Sequence, residues 1–130
     1  MRGHRSIFWV RLTAVIGLAI GVGACSTEPE LSLSDGAREG KTLYDNNGCA
    51  ACHGANGSGG VGPTLAGHAG STVALSDGSS VLADREYLIE SILLPQAQLV
   101  AGYNIKMPQN GLTAEQADLI AQFIEEMPLP

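Results

Sequence analysis

Five residues, Cys49-Ala50-Ala51-Cys52-His53, limit what this chain can fold into more than any other stretch. Two cysteines separated by two residues and followed at once by histidine form the attachment sequence of a covalent haem. The spacing has a chemical reason. Two thiols must add across two vinyl groups on one edge of a rigid macrocycle, so they sit about one helical turn apart. The next residue then projects beneath the porphyrin, where His53 offers a neutral imidazole nitrogen, a good iron ligand. A chain with this motif has to fold around a large, flat, mostly apolar disc.

Other readings of the same residues fare less well. A thioredoxin-like Cys-x-x-Cys pair opens a helix after a strand in a βαβ unit, and no such pattern precedes Cys49. A structural zinc site needs four ligands, but from Cys25 onward the chain holds three cysteines and two histidines. Cys52 and His53 are also adjacent, which makes joint chelation of one small ion awkward. A disulfide across two residues would close a tiny loop and stabilise little.

The first 24 residues have the pattern of an export signal. Arg2, Arg5 and Arg11 form a basic front, and Leu12 to Ala24 is an apolar and small-residue run of thirteen. That length is short for a membrane span and right for a signal core. Its end, Val22-Gly23-Ala24-Cys25, resembles a bacterial lipobox. The resemblance implies cleavage before Cys25 and lipidation of its thiol, which also accounts for a third cysteine in an exported chain. An ordinary signal cut or an uncleaved anchor with Cys25 incidental is the competing reading. Ser26 to Leu33 is polar, with one proline and two glutamates, and is expected to be a short hydrated tether. Eight such residues reach at most about 26–29 Å. From Cys25 on, four basic residues face thirteen acidic ones, a formal charge of −9. That balance argues against nucleic acid and bare anionic lipid as partners.

The remaining sequence, residues 34–130, is expected to be one small domain. Ser34 is the candidate N-cap of a helix over Asp35 to Asn46, with Ala37, Gly40, Leu43 and Tyr44 on one stripe. Gly48 ends it. The Gly-rich run from Gly54 to Gly62 lacks the lysine of a phosphate-binding loop and is expected to wrap an edge of the macrocycle. Haem-ligating histidines usually donate their second ring N–H to a carbonyl, and Pro63 is the candidate acceptor for His53. His68 is a candidate rim residue, propionate donor or, less favourably, second axial ligand. Asp77-Gly78 between two β-prone runs predicts a hairpin within residues 71–83, packed on the domain as an ornament. Asp84 caps a helix over Arg85 to Leu94 that buries Tyr87, Leu88, Ser91 and Ile92 and stops at Pro95. Residues 95–111 have no periodic pattern, and a stretch that long is usually functional. It carries Met107, whose thioether is a soft, neutral sixth ligand for iron, and Tyr103, expected near the ring edge or in plain core. Thr113 and Gln116 form a capping box for a last helix over Ala114 to Met127. Its buried face is Ala117, Ile120, Phe123, Ile124 and Met127, while Glu115, Asp118, Glu125 and Glu126 are expected mostly to face water.

These residues together resemble a class I c-type cytochrome from about Ser34 to Pro130. The likeness covers Cys49-x-x-Cys52-His53, Gly62-Pro63-Thr64-Leu65, the hairpin, Gly102-Tyr103 before Met107-Pro108, and the terminal helix. The run GCAACHGANGSGGVGPTLAG and the hairpin are most similar to the cytochrome c domain fused to subunit II of some bacterial haem-copper oxidases. No copper-binding segment precedes the domain here, so that dinuclear centre is not expected. The resemblance implies a small all-α fold of three to five helices around one covalent haem c, with a short β-hairpin insertion. It also implies iron ligation by His53 and Met107, haem contacts from Cys49, Cys52, Pro63 and Tyr103, and Gly40 and Tyr44 crossing the last helix near Phe123.

The function so implied is that of a non-enzymatic carrier of single electrons in a respiratory chain, tethered to a membrane by lipid on Cys25. Redox proteins such as a quinol-oxidising complex and a terminal oxidase are the expected partners. The location is the outer face of the cytoplasmic membrane or the outer membrane facing the periplasm. Glu86, Glu90, Glu125 and Glu126 are candidate contacts for a basic partner. A haem-based gas sensor or weak peroxidase with a displaceable Met107, or the electron-accepting module of one dehydrogenase, are the alternatives.

Overall fold

The computed structural model describes residues 32–129. The basic leader, the lipobox-like end with Cys25 and the tether up to residue 31 lie outside them. Leu33, the last tether residue by sequence, is 8% exposed and packs into the domain core.

Among the described residues four helices carry the fold: α1 (Asp35–Asn46), α2 (Cys49–His53), α3 (Arg85–Leu93) and α4 (Ala114–Glu125). Three of them start where a side chain satisfies free backbone donors. Ser34 Oγ accepts from Ala37 N at 3.2 Å, and Asp84 accepts from Tyr87 N at 2.9 Å. Thr113 and Gln116 close a reciprocal box, with Gln116 N donating to Thr113 Oγ1 and Thr113 N to Gln116 Oε1 at 3.3 and 3.0 Å. At the far end of α1, Asn47 Nδ2 takes the Leu43 carbonyl at 2.7 Å, and Gly48 turns the chain at φ +75° into α2.

α1 and α4 cross at close range, and this crossing frames everything else. Gly40 allows it: a Cβ there would lie 1.9 Å from the Leu119 carbonyl oxygen. Beside that contact Tyr44 meets Phe123 edge-on, with ring centroids 5.4 Å apart at 67°. Tyr44, 1% exposed, also donates its hydroxyl to the Gly54 carbonyl at 2.6 Å and so ties α1 to the residue that ends α2. The ends of the crossing are pinned as well. Glu126, at the C-cap of α4, accepts from Ser34 N and Ser34 Oγ at 2.8 and 2.6 Å. Arg85 at the start of α3 bonds Asp118 at 2.9 Å and pairs with Glu125 on α4. Asp118, Glu125 and Glu126 are therefore partners in the packing of α1, α3 and α4 rather than idle solvated charges.

Two strands, β1 (Thr72–Ala74) and β2 (Ser80–Leu82), pair antiparallel with Val73 opposite Val81. Gly78 takes φ +90° in the turn. The ribbon is more than the ornament expected from sequence. Val73, Leu75 and Ala83 are buried core residues. Leu75 also bridges Val100, Ser76 N donates to Leu99 O at 2.8 Å, and Ala101 N donates to Ala74 O at 2.9 Å. A ribbon of two short strands is marginal alone; here it braces the segment that leads to Met107. α4 ends at Glu125, two residues short of the expected bound, as Pro128 disfavours helical backbone at Met127.

Candidate functional site

The haem-attachment motif forms a helix of its own. Cys49 and Cys52 lie at its first and fourth positions, both as free, partly exposed thiols. Burial, opposed by a backbone hydrogen bond, raises the Cys49 thiol pKa above its ordinary value. His53 is the last residue of α2.

The Gly-rich run closes on the haem-attachment helix. It folds back over the end of α2. Gly59 N donates to His53 O at 2.8 Å, Gly62 N to Cys52 O at 3.0 Å, and Leu65 and Ala66 both donate to Gly57 O. The first two bonds satisfy the terminal carbonyls of a helix too short to satisfy them itself, and the bonds to Gly57 close the loop on itself. Gly62 is needed for a steric reason: a Cβ would sit 2.9 Å from His53 Cε1. The backbone can thus lie flat along the imidazole. The next residue supplies the fixing bond. His53 Nδ1 lies 2.8 Å from the Pro63 carbonyl. That oxygen can only accept, so Nδ1 carries the proton and Nε2 keeps its lone pair for a metal.

One cleft of about 260 Å³ collects nearly every residue singled out by sequence: Cys49, Cys52, His53, Pro63, His68, Tyr103 and Met107 line it together. Its walls are largely apolar, from Leu65, Tyr87, Leu88, Ile92, Leu99, Val100, Ile120 and Ile124. The face of α3 expected to be buried is thus the wall of the cleft. Met127 lies elsewhere, 7% exposed and packed beside Gly57. Met107 is therefore the one methionine thioether that reaches this cleft among the described residues. Its loop is held by side chains that the sequence did not flag. Gln96 Nε2 donates to the Met107 carbonyl at 2.7 Å. Asn110 Nδ2 donates to Ile92 O at 2.7 Å, and its Oδ1 accepts from Leu112 N at 3.1 Å.

The residues fit a haem. Two thiols, one imidazole nitrogen with a free lone pair and one thioether converge on a space with greasy walls. Ser91 Oγ, on the cleft face of α3, is buried without a protein partner, as expected where a polar group of a bound molecule or a water completes the site. Among the described residues no group of three or more His, Cys, Asp or Glu side chains could hold a bare ion. The zinc reading has no support there. His68 is half-buried at the cleft with its ring tilted against Tyr87, centroids 6.2 Å apart. Burial first, and the nearby His53 second, lower its pKa, so the neutral form is favoured. Tyr103 is 40% exposed at the mouth of the cleft and is no core residue.

The sequence model of the cytochrome c family matches residues 37–128, more than two thirds of the chain. The chain belongs to the cytochrome c family. No curated protein sequence matches it significantly. The match covers the whole cleft, from α1 to the end of α4. As a cytochrome c domain the protein takes haem c as its cofactor, bonded through Cys49 and Cys52 of the motif that ends in His53. Its mostly helical architecture fits a class I cytochrome c, and its general role is that of a haem-based electron carrier working with redox protein partners.

Proposed function

We propose that this cytochrome c domain is a membrane-tethered carrier of single electrons in a respiratory chain, in which His53 and Met107 would both hold the haem iron. The observation that carries this reading is the placement of Met107 on the same cleft as Cys49, Cys52 and His53, with its backbone fastened by Gln96. When bound, the haem supplies a one-electron couple centred on iron. The chain's own residues do the rest. Pro63 orients the His53 ring and fixes its tautomer. Asn110 holds the end of the methionine loop to α3 and Gln96 ties its start to Met107, which resists displacement by small molecules. The apolar walls exclude water and disfavour the extra charge of the ferric state, so a positive reduction potential is expected.

The exported front end supports the location. A lipidated Cys25 would hold the domain on the outer face of the cytoplasmic membrane or at the outer membrane facing the periplasm. The tether would then replace free diffusion by a high local concentration near membrane partners such as a quinol-oxidising complex and a terminal oxidase. No enzymatic step is assigned to the chain. The likeness of the haem run to the domain fused to oxidase subunit II favours the oxidase as acceptor.

The test is the optical spectrum of the ferric holoprotein beside that of Met107→Ala. The native protein should show the weak sulfur-to-iron charge-transfer band at the red end of the visible range and bind carbon monoxide poorly when reduced. Met107→Ala should lose the band and bind carbon monoxide readily. A native protein without the band, with free binding of carbon monoxide, would turn the reading toward a gas sensor or peroxidase.

A further inference from the structure

On the face that α3 turns to the cleft, Tyr87, Leu88 and Ile92 are joined by one small hydroxyl, Ser91. Its Oγ is sealed from solvent and bonds to nothing in the protein. It is the one buried side-chain polar atom without a partner among the described residues. Such an orphan is costly, because a hydroxyl stripped of water can regain its hydrogen bond only from a neighbour. A helix normally offers relief in the carbonyl four residues back. Thr42 on α1 takes that course and donates to Arg38 O at 3.0 Å. Ser91 makes no such bond to Tyr87 O. Its place on α3 shows what lies near. Ser91 precedes Ile92, whose carbonyl receives Asn110 Nδ2, and Asn110 follows Met107 by three residues. Ser91 therefore belongs to the part of the cleft closed by the methionine loop, and the half-buried Met107 lines the same cleft. Polar neighbours there are engaged otherwise. Gln98 is turned towards Glu90, and Asn110 Oδ1 already accepts from Leu112 N.

We infer that Ser91 is a positioning residue of the redox site: its hydroxyl donates a hydrogen bond to the Met107 thioether and holds the reduction potential up. The inference rests on the reading that Met107 binds the haem iron, and it adds a residue that acts through Met107. A thioether sulfur has two lone pairs, so Met107 can give one to a metal and accept a hydrogen bond with the other. Sulfur is a weak acceptor, but for a hydroxyl with no other partner a weak bond is better than none. The sign follows from charge. The O–H group points its positive end at the sulfur and draws electron density from it. Both effects oppose the added positive charge of the ferric state, so the bond favours the ferrous one.

The experiment measures the midpoint potential of the full-length holoprotein as native, Ser91→Ala, Met107→Ala and the double variant. Ser91→Ala removes one oxygen and puts a better helix former in α3, so the fold is kept. Its one-electron equilibrium should move about threefold or more towards the ferric state, or about 28 mV at 59 mV per tenfold. The sulfur-to-iron band should remain. Once the acceptor is gone the effect should vanish, so Met107→Ala and the double variant should have the same potential. A Ser91→Ala potential equal to native, with a raised melting temperature, would mean that the hydroxyl stays orphaned, and would overturn the inference. An equal potential with an unchanged melting temperature would overturn it too, as would a shift of the same size in the Met107→Ala background. In each of these cases the native protein keeps its band and the carrier reading stands. A native protein without the band would remove that reading and the role of Ser91 with it.

Discussion

Substitution of Gly40 by alanine puts the helix crossing to a test in which local and tertiary effects have opposite signs. The added Cβ would lie 1.9 Å from Leu119 O and 3.1 Å from Ile120 N, while ordinary contact begins at 3.4 Å. The obstructing atoms are α4 backbone, which has no rotamer to give. The two helices must part locally by about 1.5 Å, the difference between those separations. Overpacking of a close-packed contact costs about 1–3 kcal/mol, and a backbone obstacle belongs at the top of that range. Alanine returns about 1 kcal/mol as a better helix former. The net loss is about 2 kcal/mol, which lowers the melting temperature of a domain this size by about 8–16 °C. Thermal unfolding of the ferric holoprotein, followed by far-ultraviolet circular dichroism, reads this directly. Gly36→Ala is the control, because its Cβ meets the amide end of Gln122, a flexible side chain. That variant should stay within about 1 kcal/mol of native. A Gly40→Ala protein as stable as native, or more stable, would show that the helices do not approach as described.

Tyr44 makes the domain sensitive to alkali. Burial is the main reason its pKa is pushed up to about 12 from 10.0, and the Asp45 carboxylate adds to it. Its contribution is whole below pH 10 and is lost as pH rises through the folded value, a loss of about 3 kcal/mol. Tyr44→Phe should lack that alkaline loss in denaturant titrations, at a cost near pH 7 of about 1–2 kcal/mol for the unpaired Gly54 carbonyl. Gln96→Ala should loosen the Met107 loop. Its reduced form should bind carbon monoxide about tenfold more tightly than native, as expected when a hydrogen bond of about 1.4 kcal/mol no longer opposes displacement. Titration of the reduced protein with carbon monoxide measures it.

Much of this domain is legible in the order of its residues because the signals are local. Ser34, Asp84 and Thr113 cap helices that begin where they stand. Asp77-Gly78 turns a hairpin, and the motif at Cys49 opens its own helix. Pro63 could be anticipated as the partner of His53 because a ligating imidazole needs an acceptor and a proline keeps its carbonyl while restricting the backbone. What stayed hidden depends on which element lies across from which. Leu75 and Val73 look like the inner face of a minor ribbon, and only the pairing with Val100 shows that they brace the methionine loop. Gln96 is a polar residue after a proline with no periodic pattern, so nothing in sequence links it to Met107 eleven residues on. The acids of α4 occupy the polar side of the helical stripe, and their bonds to Arg85 and Ser34 depend on how three helices cross.

Voltammetry of the intact holoprotein adsorbed on an electrode, with and without carbon monoxide, bears most directly on a closed one-electron site. A single reversible wave at positive potential that carbon monoxide leaves in place is the predicted result. A wave that carbon monoxide displaces or abolishes, or no reversible wave at all, would contradict an iron gripped by His53 on one face and Met107 on the other.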